Sequence, residues 1–423
     1  MGFVNKRFQG EQIVFGCALY VAVAMGCMGI YVTSVAQLPK VYHISITNLG
    51  TLGTLMSLTC MIGSALLISI KKRIGARGCL YLGGTAMIIQ AVAVFLLQKN
   101  LASLLVELMV CGLVVSISAQ TVLSEIISNW YAEKRAEKIA IMLGAASLGS
   151  AFYQFISGQI LGRFPYFVAV GGLSLTNGIL MLLLVHFVIY AEKPEQVGQQ
   201  PFGTSRKDLS PGNIETVDAS AKVSNIRIDK KYGSKNLYTC LDFWLLLLAT
   251  MLAAGNTTYI LNYTTTFFTE LGMHIKKAAA LLSLLSLSSG ICSFISGKLL
   301  KRLRVKRFLC LLVGAAITAN LGMILYEHTS SPLVVMIIIV SYGIGGLIPT
   351  AANLISGELF AREDAVNVAS KCYAVYAGTN ILLAPVCAAM IDNFGFSSAF
   401  CMVASLCGAS LIFYLPAVCR CKA

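Results

Sequence analysis

Uncharged polar side chains recur at helical spacing inside two long apolar stretches of this sequence. Asn256, Tyr259 and Tyr263 lie three and four residues apart, and Tyr376 and Asn380 repeat this spacing in a later stretch. Residues three and four apart share one face of an α-helix. Hydroxyl and amide groups bind a solute through hydrogen bonds, and no nucleophile, base and orienter arrangement accompanies them. These residues therefore predict non-covalent binding rather than catalysis.

Further uncharged polar residues complete the candidate binding set. They are Tyr31, Gln120, Tyr153, Gln154 and Asn353. In an apolar environment such groups need partners, so we expect them to face protein or a water-filled cavity. Two interpretations stay open: a solute pathway, and hydrogen bonds between helices. A lining of aromatic, amide and hydroxyl groups suits a small solute with a hydrogen-bonding head and an apolar body.

Two ionisable side chains within the apolar stretches could recognise or couple a charge. A charge at the centre of a bilayer costs roughly 2.5–3.5 kcal/mol, so an ionisable residue inside an apolar stretch indicates a function. Glu107 is the candidate protonatable group for proton coupling. Its alternative role is an interfacial carboxylate that reaches Lys99 or Arg163. Lys371 is the candidate countercharge for a carboxylate substrate.

The composition places most of the chain in a bilayer. Of its 423 residues, 57% are hydrophobic and 12% are charged, whereas about 25% are charged in soluble globular proteins. The 14 Cys include no CxxC and no Cys/His cluster, so we interpret them as small hydrophobes rather than a disulfide framework or metal site. We expect no cofactor. No nucleotide-binding loop is visible, which argues against ATP as the energy source.

Twelve apolar runs are long enough to cross about 30 Å of hydrocarbon as helices. In chain order, as spans 1 to 12, they are 12–38, 45–70, 78–98, 101–128, 138–161, 165–191, 239–269, 276–299, 307–327, 331–357, 366–391 and 396–418. Their apolar character is continuous rather than alternating, which favours helices over a β-barrel. Span 1 is longer than the apolar region of a cleaved signal peptide. We therefore predict an all-α polytopic membrane protein.

The Lys and Arg residues cluster in alternate connections between the spans. Of the 32 in the chain, five fall in the predicted outer segments and nearly all others in the predicted inner ones. By the positive-inside rule, this asymmetry predicts a plasma (inner) membrane protein with both termini in the cytoplasm. Anionic inner-leaflet lipid accounts for the net charge of +14, so we expect no nucleic-acid partner. The expected partners are membrane lipid, a small-molecule substrate and protons, and we expect a monomer.

Two loops repeat at one fixed offset of 229 residues. "KKRIGAR" at 71–77 matches "LKRLRVK" at 300–306, and "NWYAEKRAEKIA" at 129–140 matches "ELFAREDAVNVA" at 358–369. One unbroken offset across both pairs of loops indicates two six-helix halves that arose by duplication.

The duplication divides the chain into three parts. We predict an N-terminal half over 1–191, a cytoplasmic linker over 192–238 and a C-terminal half over 239–423. The middle part is polar and contains Pro, Gly, Ser and Lys, a composition typical of a flexible linker.

This organisation resembles the major facilitator superfamily, and the resemblance covers nearly the whole chain. Members of that superfamily have six plus six helices, a long central cytoplasmic linker and a basic turn after spans 2 and 8. Their signature between spans 2 and 3 is Gly-x-x-x-Asp-Arg-x-Gly-Arg-Arg/Lys. Here Arg73, Gly75 and Arg77 fit, whereas Lys72 replaces the Asp and Ile68 replaces the first Gly.

The resemblance implies a cytoplasmic gate at the two basic turns. Its candidate residues are Lys72, Arg73, Arg77, Lys301 and Arg302. In the family, the signature Asp pairs with a charge on a neighbouring helix and holds the outward-facing state. Because both copies carry Lys at that place, the gate must differ here, and loop carboxylates such as Glu125 could supply the pairing. The alternative is that these loop charges only set the topology.

The segment "NWYAEKRAEKIAIMLGAASLGSAF" is similar to the Trp-Phe-x-x-Lys/Arg-Arg-x-x-Ala segment of oxalate/formate antiporters and monocarboxylate porters. This likeness implies a secondary transporter that moves a small organic anion, monocarboxylate-like, by alternating access with proton symport or exchange. Oxalate-type members carry an Arg in span 8 and a Lys in span 11. Here span 8 has no central cation and Ala377 stands at the place of that Lys, which argues against a dianion. The alternatives are efflux of amphipathic compounds and a non-transporting sensor on the same fold, and we expect no enzyme.

Overall fold

The computed structural model describes residues 8–98, 100–117, 120–131, 134–202, 240–348 and 362–420. Its helices are α1 (Gly10–Ser34), α2 (Leu38–Tyr42), α3 (Ile46–Leu97), α4 (Leu101–Ile117), α5 (Gln120–Trp130), α6 (Arg135–Leu161), α7 (Tyr166–Leu183), α8 (Leu241–Glu270), α9 (Ile275–Thr329), α10 (Pro332–Gly345) and α11 (Arg362–Arg420). A π-helical turn, Leu184–Val188, continues α7, and a 3₁₀ turn follows at Pro194–Val197. Most of the predicted linker and the end of span 10 lie outside the described residues.

Three long helices each contain two predicted spans, separated by one residue with positive φ. These residues are Gly75 (φ 77°, ψ 174°) in α3, Arg304 (φ 61°, ψ 157°) in α9 and Gly395 (φ 80°, ψ 172°) in α11. Glycine adopts positive φ without steric cost, whereas Arg304 does so against its Cβ. Residues 75 and 304 are separated by the offset that relates the loop repeats. The shared break supports the predicted duplication, although the division into halves stays a prediction.

The described helices have the length and composition of membrane spans. If the two parts of α3 and of α9 are counted separately and α4 and α5 together, nine helical segments of the described chain are long and apolar enough to cross a membrane. Two shorter apolar segments, Leu241–Asn256 in α8 and Pro332–Gly345, accompany these. Large apolar side chains such as Leu96 and Leu333 are about three-quarters exposed (77% and 75%), which suits a hydrocarbon solvent rather than water. The predicted class, an all-α polytopic membrane protein, is confirmed.

The helices pack in two groups that follow chain order. In the N-terminal group, α1 packs on α6, and α3 packs on α4 and α7; in the C-terminal group, α11 packs on α8 and α9, and α9 packs on α10. Three pairs of helices join the groups: α6 with α9, α3 with α11 and, less extensively, α1 with α8. The bends at Gly75 and Arg304 mark one end of this bundle, which we call the basic face. The other end, where α3 and α9 begin, is the opposite face.

Aromatic and charged contacts fasten the chain at the basic face. The ring of Phe8 lies 5.6 Å from that of Tyr131 and 5.7 Å from that of Phe202, between ring centroids. The carboxylate of Glu11 accepts hydrogen bonds from the Tyr131 hydroxyl at 2.9 Å and from Lys138 Nζ at 2.6 Å. Burial and the Glu11 carboxylate raise the pKa of Tyr131 above its usual range. The beginning of the linker is therefore attached to the N-terminal group.

Helices α1 and α6 approach so closely that only glycine fits at position 149. A Cβ atom on Gly149 would lie 2.2 Å from the carbonyl oxygen and 2.4 Å from the Cα of Ala22. Both contacts are with backbone atoms, which cannot move aside as a flexible side chain can. Small residues at helix contacts allow such close approach in membranes, where apolar attraction to lipid offers no advantage to helix association.

We predict that Gly149→Ala destabilises the fold by about 1–3 kcal/mol, because the added methyl group must push α1 and α6 apart. The measurement is the midpoint of thermal unfolding of the purified protein in detergent. The matched control is Gly172→Ala in α7, where a Cβ meets no atom within 4 Å. A lowered midpoint for Gly149→Ala beside an unchanged or raised one for Gly172→Ala is the expected result, and equal midpoints would contradict the proposed close contact.

Candidate solute-binding cavity

A cavity of about 190 Å³ lies between the N-terminal and C-terminal groups of helices. Its wall comes from α1, α3, α4 and α6 on one side and from α8 and α11 on the other. The polar residues in the wall are Tyr31, Ser57, Ser150, Gln154, Asn262, Tyr263, Tyr376 and Asn380. The apolar ones include Met28, Val32, Val35, Leu49, Met56 and Val115. The wall therefore combines hydrogen-bonding groups with aliphatic surface.

Five of the predicted binding residues meet in this wall. They are Tyr31, Gln154, Tyr263, Tyr376 and Asn380. They reach it from four helices, α1, α6, α8 and α11, which come from both groups. The interpretation as a shared solute-facing surface is the one that this placement favours for these five residues.

The amide of Gln154 has hydrogen-bonding capacity left over for a solute. Its Nε2 donates to the Ser150 hydroxyl at 3.2 Å, whereas its Oε1 is buried with no hydrogen-bond partner in the described part of the chain. Buried polar atoms are rarely left without a partner, so an orphaned acceptor in a cavity wall indicates a ligand or water position. Nearby, the Tyr263 hydroxyl donates to the carbonyl oxygen of Ala384 at 3.3 Å.

Three other predicted residues serve helix packing instead. The Asn256 carboxamide accepts a hydrogen bond from Asn320 Nδ2 at 2.7 Å, which joins α8 to α9. The ring of Tyr259 packs on Phe400, 4.9 Å between centroids. The ring of Tyr153 lies against Gly26, where a Cβ would come within 2.6 Å of it. For these residues, the structure places the side chains outside the cavity wall.

Some predicted residues are not placed. Asn353 lies outside the described residues, as do the side chains of Gln120 and Lys301. Lys371 lies half-buried in α11, five residues and about 7.5 Å closer to the basic face than Tyr376. It is not part of the cavity wall.

The sequence interpretation missed several wall residues. Asn262 follows Tyr259 by three residues, so helical spacing alone could have included it in the binding set. Ser57 and Cys60 also line the cavity, but a single Ser or Cys in an apolar run carries no signal of its own. Cys60 was interpreted as apolar filler, and its position becomes visible only once α3 packs on α4.

The wall carries no formal charge. Among the described residues that line the cavity there is no Asp, Glu, Lys, Arg or His. Hydroxyl and amide groups can hold a carboxylate or a neutral polar group by donating hydrogen bonds, but they do not neutralise a charge. For an ion that entered alone, no countercharge in the wall would offset the free energy lost when the ion leaves water. A solute without net charge would not have this cost.

Glu107 lies beside the cavity rather than in its wall. This side chain is 1% exposed, and its Oε2 accepts a hydrogen bond from the Tyr166 hydroxyl at 2.6 Å. Its Oε1 is buried without a hydrogen-bond partner among the described residues. In the alternative interpretation Glu107 reaches Lys99, which lies outside the described residues, or Arg163; the partner that the structure shows is the Tyr166 hydroxyl, for which the sequence held no signal.

Polar side chains lie on both sides of Glu107. On one side, the Tyr31 hydroxyl lies within electrostatic range of both Glu107 and the wall residue Tyr263. On the other side, the ring of Tyr166 packs on Tyr42 of α2, whose hydroxyl is 2.6 Å from that of Ser103. Glu107 thus lies between the cavity and the opposite face of the bundle.

The basic turn at 71–77 is fastened within the N-terminal group. Lys71 Nζ lies 2.5 Å from Glu125 Oε2, and the backbone N–H of Arg77 donates to Glu192 Oε1 at 2.7 Å. The Arg77 guanidinium also donates to the carbonyl oxygen of Val185 at 3.2 Å. Lys72 and Arg73 are exposed, as is Arg302 in the second turn. Glu125 thus pairs with Lys71, which is not one of the candidate gate residues, and the gating role of the basic turns stays a prediction.

The model of one protein family, described as the Major Facilitator Superfamily, matches residues 17–370. The chain belongs to the major facilitator superfamily. This membership indicates a multi-pass transporter rather than an enzyme. No curated protein matches the sequence.

Solved transporter structures share the fold of this superfamily member. A D-xylose-proton symporter matches with a TM-score of 0.70 at 14% identity, over 95% of this chain and 97% of its own. The nucleoside transporter NupG matches with a TM-score of 0.68 at 11% identity, over 97% and 99%. A peptide transporter POT in complex with alafosfalin matches with a TM-score of 0.67 at 15% identity, over 99% and 95%. At such low identity the likeness establishes the fold alone.

We predict that Tyr31→Phe weakens solute binding by roughly two- to tenfold, since it removes one hydrogen-bonding hydroxyl from the wall. Tyr153→Phe is the matched control, because Tyr153 is similarly buried (7% against 4% exposed) but lies outside the wall. The measurement is the concentration dependence of thermal stabilisation by a solute found in a metabolite screen. Equal weakening by both variants would show that the cavity is not the binding site.

Proposed function

We propose that this transporter moves a small monocarboxylate together with a proton, by alternating access around the cavity between the two groups of helices. The observation that carries the proposal is the uncharged wall of the cavity, in which Tyr hydroxyls and amides can hold a carboxylate. The likeness of the segment at 129–152 to monocarboxylate porters, noted in the sequence, agrees with it.

Because the wall is uncharged, a carboxylate must enter the cavity together with a proton. A carboxylate that entered such a cavity alone would lose its hydration without gaining a countercharge. If a proton enters with it, on the solute or on a nearby protein carboxyl, the loaded complex gains no net charge. A dianion would need two protons and fits less well, which supports the expectation against oxalate.

Glu107 is our candidate for the protein group that carries this proton. The carboxyl is buried, has one oxygen without a hydrogen-bond partner among the described residues, and lies near Tyr31 in the cavity wall. A proton on Glu107 leaves a neutral group in the interior, whereas its loss leaves a charge whose one hydrogen-bond donor in the described part of the chain is the Tyr166 hydroxyl. Binding of the solute in the cavity and protonation of Glu107 can therefore influence each other through Tyr31.

Efflux of an amphipathic compound is the second candidate function. The aliphatic part of the wall, which includes Val32, Leu49 and Met56, supports it, because an apolar body would pack there. Proton exchange with such a solute would use the same Glu107. The substrates of the three structural neighbours differ from one another, so their likeness favours neither candidate. A sensor that binds without transport is the third possibility, and flux distinguishes it.

The proposed setting is the plasma membrane, with the basic face and both termini in the cytoplasm and lipid around a monomer. The loop charges support this orientation through the positive-inside rule. Anionic lipid at the cytoplasmic surface would attract exposed cations such as Arg73 and Arg302.

The test is uptake of a panel of monocarboxylates into proteoliposomes driven by an inward proton gradient. We expect accumulation of at least one small monocarboxylate by the natural protein. Glu107→Gln should abolish accumulation driven by the gradient while leaving exchange of labelled for unlabelled solute, because only proton coupling is lost. Absence of carboxylate flux from folded protein would reject the proposed substrate class.

The matched control for this experiment is Asp242→Asn. Asp242 is the other carboxylate near full burial in the described residues, at 3% exposed, and lies at the beginning of α8, far along the bundle from Glu107. We expect Asp242→Asn to retain accumulation. If Glu107→Gln accumulates solute as the natural protein does, Glu107 is not the coupling group, and the transport proposal remains to be judged by the flux itself.

A further inference from the structure

The cavity is covered, toward the opposite face, by a hydrogen-bonded contact between α3 and α11. Asp392 Oδ2 accepts from the backbone N–H of Thr47 at 2.8 Å and from the Thr47 hydroxyl at 2.5 Å. Thr47 lies in the first turn of α3, where N–H groups have no partner within the helix. The next N–H, that of Asn48, is bonded to the Ser45 hydroxyl at 3.1 Å. A residue of the C-terminal group thus caps a helix of the N-terminal group.

One turn deeper, the same two helices close directly over the cavity. A Cβ on Gly50 would lie 2.5 Å from the Cβ of Ala388 and 3.0 Å from the carbonyl oxygen of Ala384. Gly50 and Ala384 both belong to the cavity wall. We call these contacts, together with the Thr47–Asp392 bonds, the roof. A solute can reach the cavity from the opposite face between α3 and α11 only if the roof opens.

The junction of α6 with α9 has no equivalent bond among the residues that the structure describes. The sequence offset of 229 residues relates Thr47 to Lys276 and Asp392 to Arg163. The backbone N–H of Lys276 is bonded to His274 Nδ1 of its own chain segment, at 3.3 Å. Arg163, which corresponds to Asp392, is a cation, so Lys276 repels it rather than binding it.

The α6–α9 junction is instead packed along its length. A Cβ on Gly158 would lie 2.1 Å from the Cβ of Ala279, and toward the basic face a Cβ on Gly144 would lie 1.9 Å from the ring of Phe294. Between these contacts, the Ser283 hydroxyl donates to the carbonyl oxygen of Ala151 at 2.7 Å. Close packing over several turns favours a junction that stays together while another separates.

The Thr47–Asp392 bonds suit repeated opening. Asp392 is exposed and Thr47 half-buried, so water can replace each partner when the contact breaks. The charge of Asp392 also faces the positive end of α3, which stabilises the closed arrangement without a buried ion pair.

We propose that Thr47 and Asp392 form the gate on the opposite face, closing the cavity when bonded and separating to admit or release solute, while the α6–α9 junction acts as the hinge. This inference rests on the proposed transport function, because a gate has a role only if solute passes. Asp392 is a positioning residue, since it acts on α3 and not on the solute. The gate is asymmetric in a fold whose two halves the sequence relates by duplication.

The test measures access to the cavity and needs no substrate. Cys60 in the cavity wall is a natural reporter: a membrane-impermeant maleimide is applied to the opposite face, and the modified Cys60 peptide is quantified by mass spectrometry over time. We expect Asp392→Ala to speed Cys60 labelling by roughly two- to tenfold, as loss of ordinary hydrogen bonds predicts. Arg163→Ala, the matched change at the other junction, should leave the rate unchanged. Labelling of folded Asp392→Ala at the natural rate would overturn the inference.

A second variant decides the question if Asp392→Ala fails to fold. In the double variant Thr47→Cys, Asp392→Cys, oxidation should join the two helices, which is checked by mass. We expect the joined protein to resist Cys60 labelling from the opposite face and to recover on reduction. Unchanged labelling in the joined state would reject the gate. Because labelling reports access and not flux, a protein that carries no carboxylate still tests the gate, and a failed gate leaves the transport proposal intact.

Discussion

Burying an unpaired charge in a low-dielectric interior costs several kcal/mol, and the charges of this protein are distributed accordingly. The cations of the basic turns stay at one end of the bundle, where Lys71 meets Glu125 and Lys138 meets Glu11. The described cavity wall between the two groups of helices carries no formal charge. Glu107, which is buried near that wall, has a hydroxyl partner rather than a cation. The same cost explains why a carboxylate solute would need an accompanying proton.

Close helix contacts determine where that uncharged cavity can open. Gly149 brings α1 against α6, and Gly50 brings α3 against α11 directly over the wall. Both contacts depend on the missing Cβ, so the cavity is bounded by surfaces that meet without flexible side chains between them. The contact at Gly149 holds two helices of one group together, whereas the contact at Gly50 lies between the groups, where alternating access requires movement. Hydrogen bonds at the edge, as between Thr47 and Asp392, then decide which surface separates.

The architecture could be predicted from the sequence because its signals are long and repeated. Twelve apolar runs and the distribution of Lys and Arg indicated a polytopic helical protein, and the loop offset matched the positions of the bends at Gly75 and Arg304. Helical spacing also identified Tyr263, Tyr376 and Asn380 as wall residues. It failed to separate them from Asn256 and Tyr259, because one helix presents polar groups both to the cavity and to its neighbours.

The sequence could not predict which side chains hydrogen-bond to each other across helices, for a different physical reason. Tyr166 reaches Glu107, and Asp392 reaches Thr47, across helices far apart in the chain, and many polar residues would be equally suitable partners by type alone. Only the packing of α3 against α4, α7 and α11 selects among them. Helix packing likewise places Cys60 in the cavity wall.

If one monocarboxylate crosses with one proton, the loaded cavity carries no net charge. This is measured by carboxylate uptake into proteoliposomes in which the pH gradient and the membrane potential are set independently. We expect uptake that follows the pH gradient and does not change when a potential of either sign is imposed at constant pH. Uptake that is driven or stopped by the potential alone would mean that net charge crosses with the solute, and would rule out the neutral load.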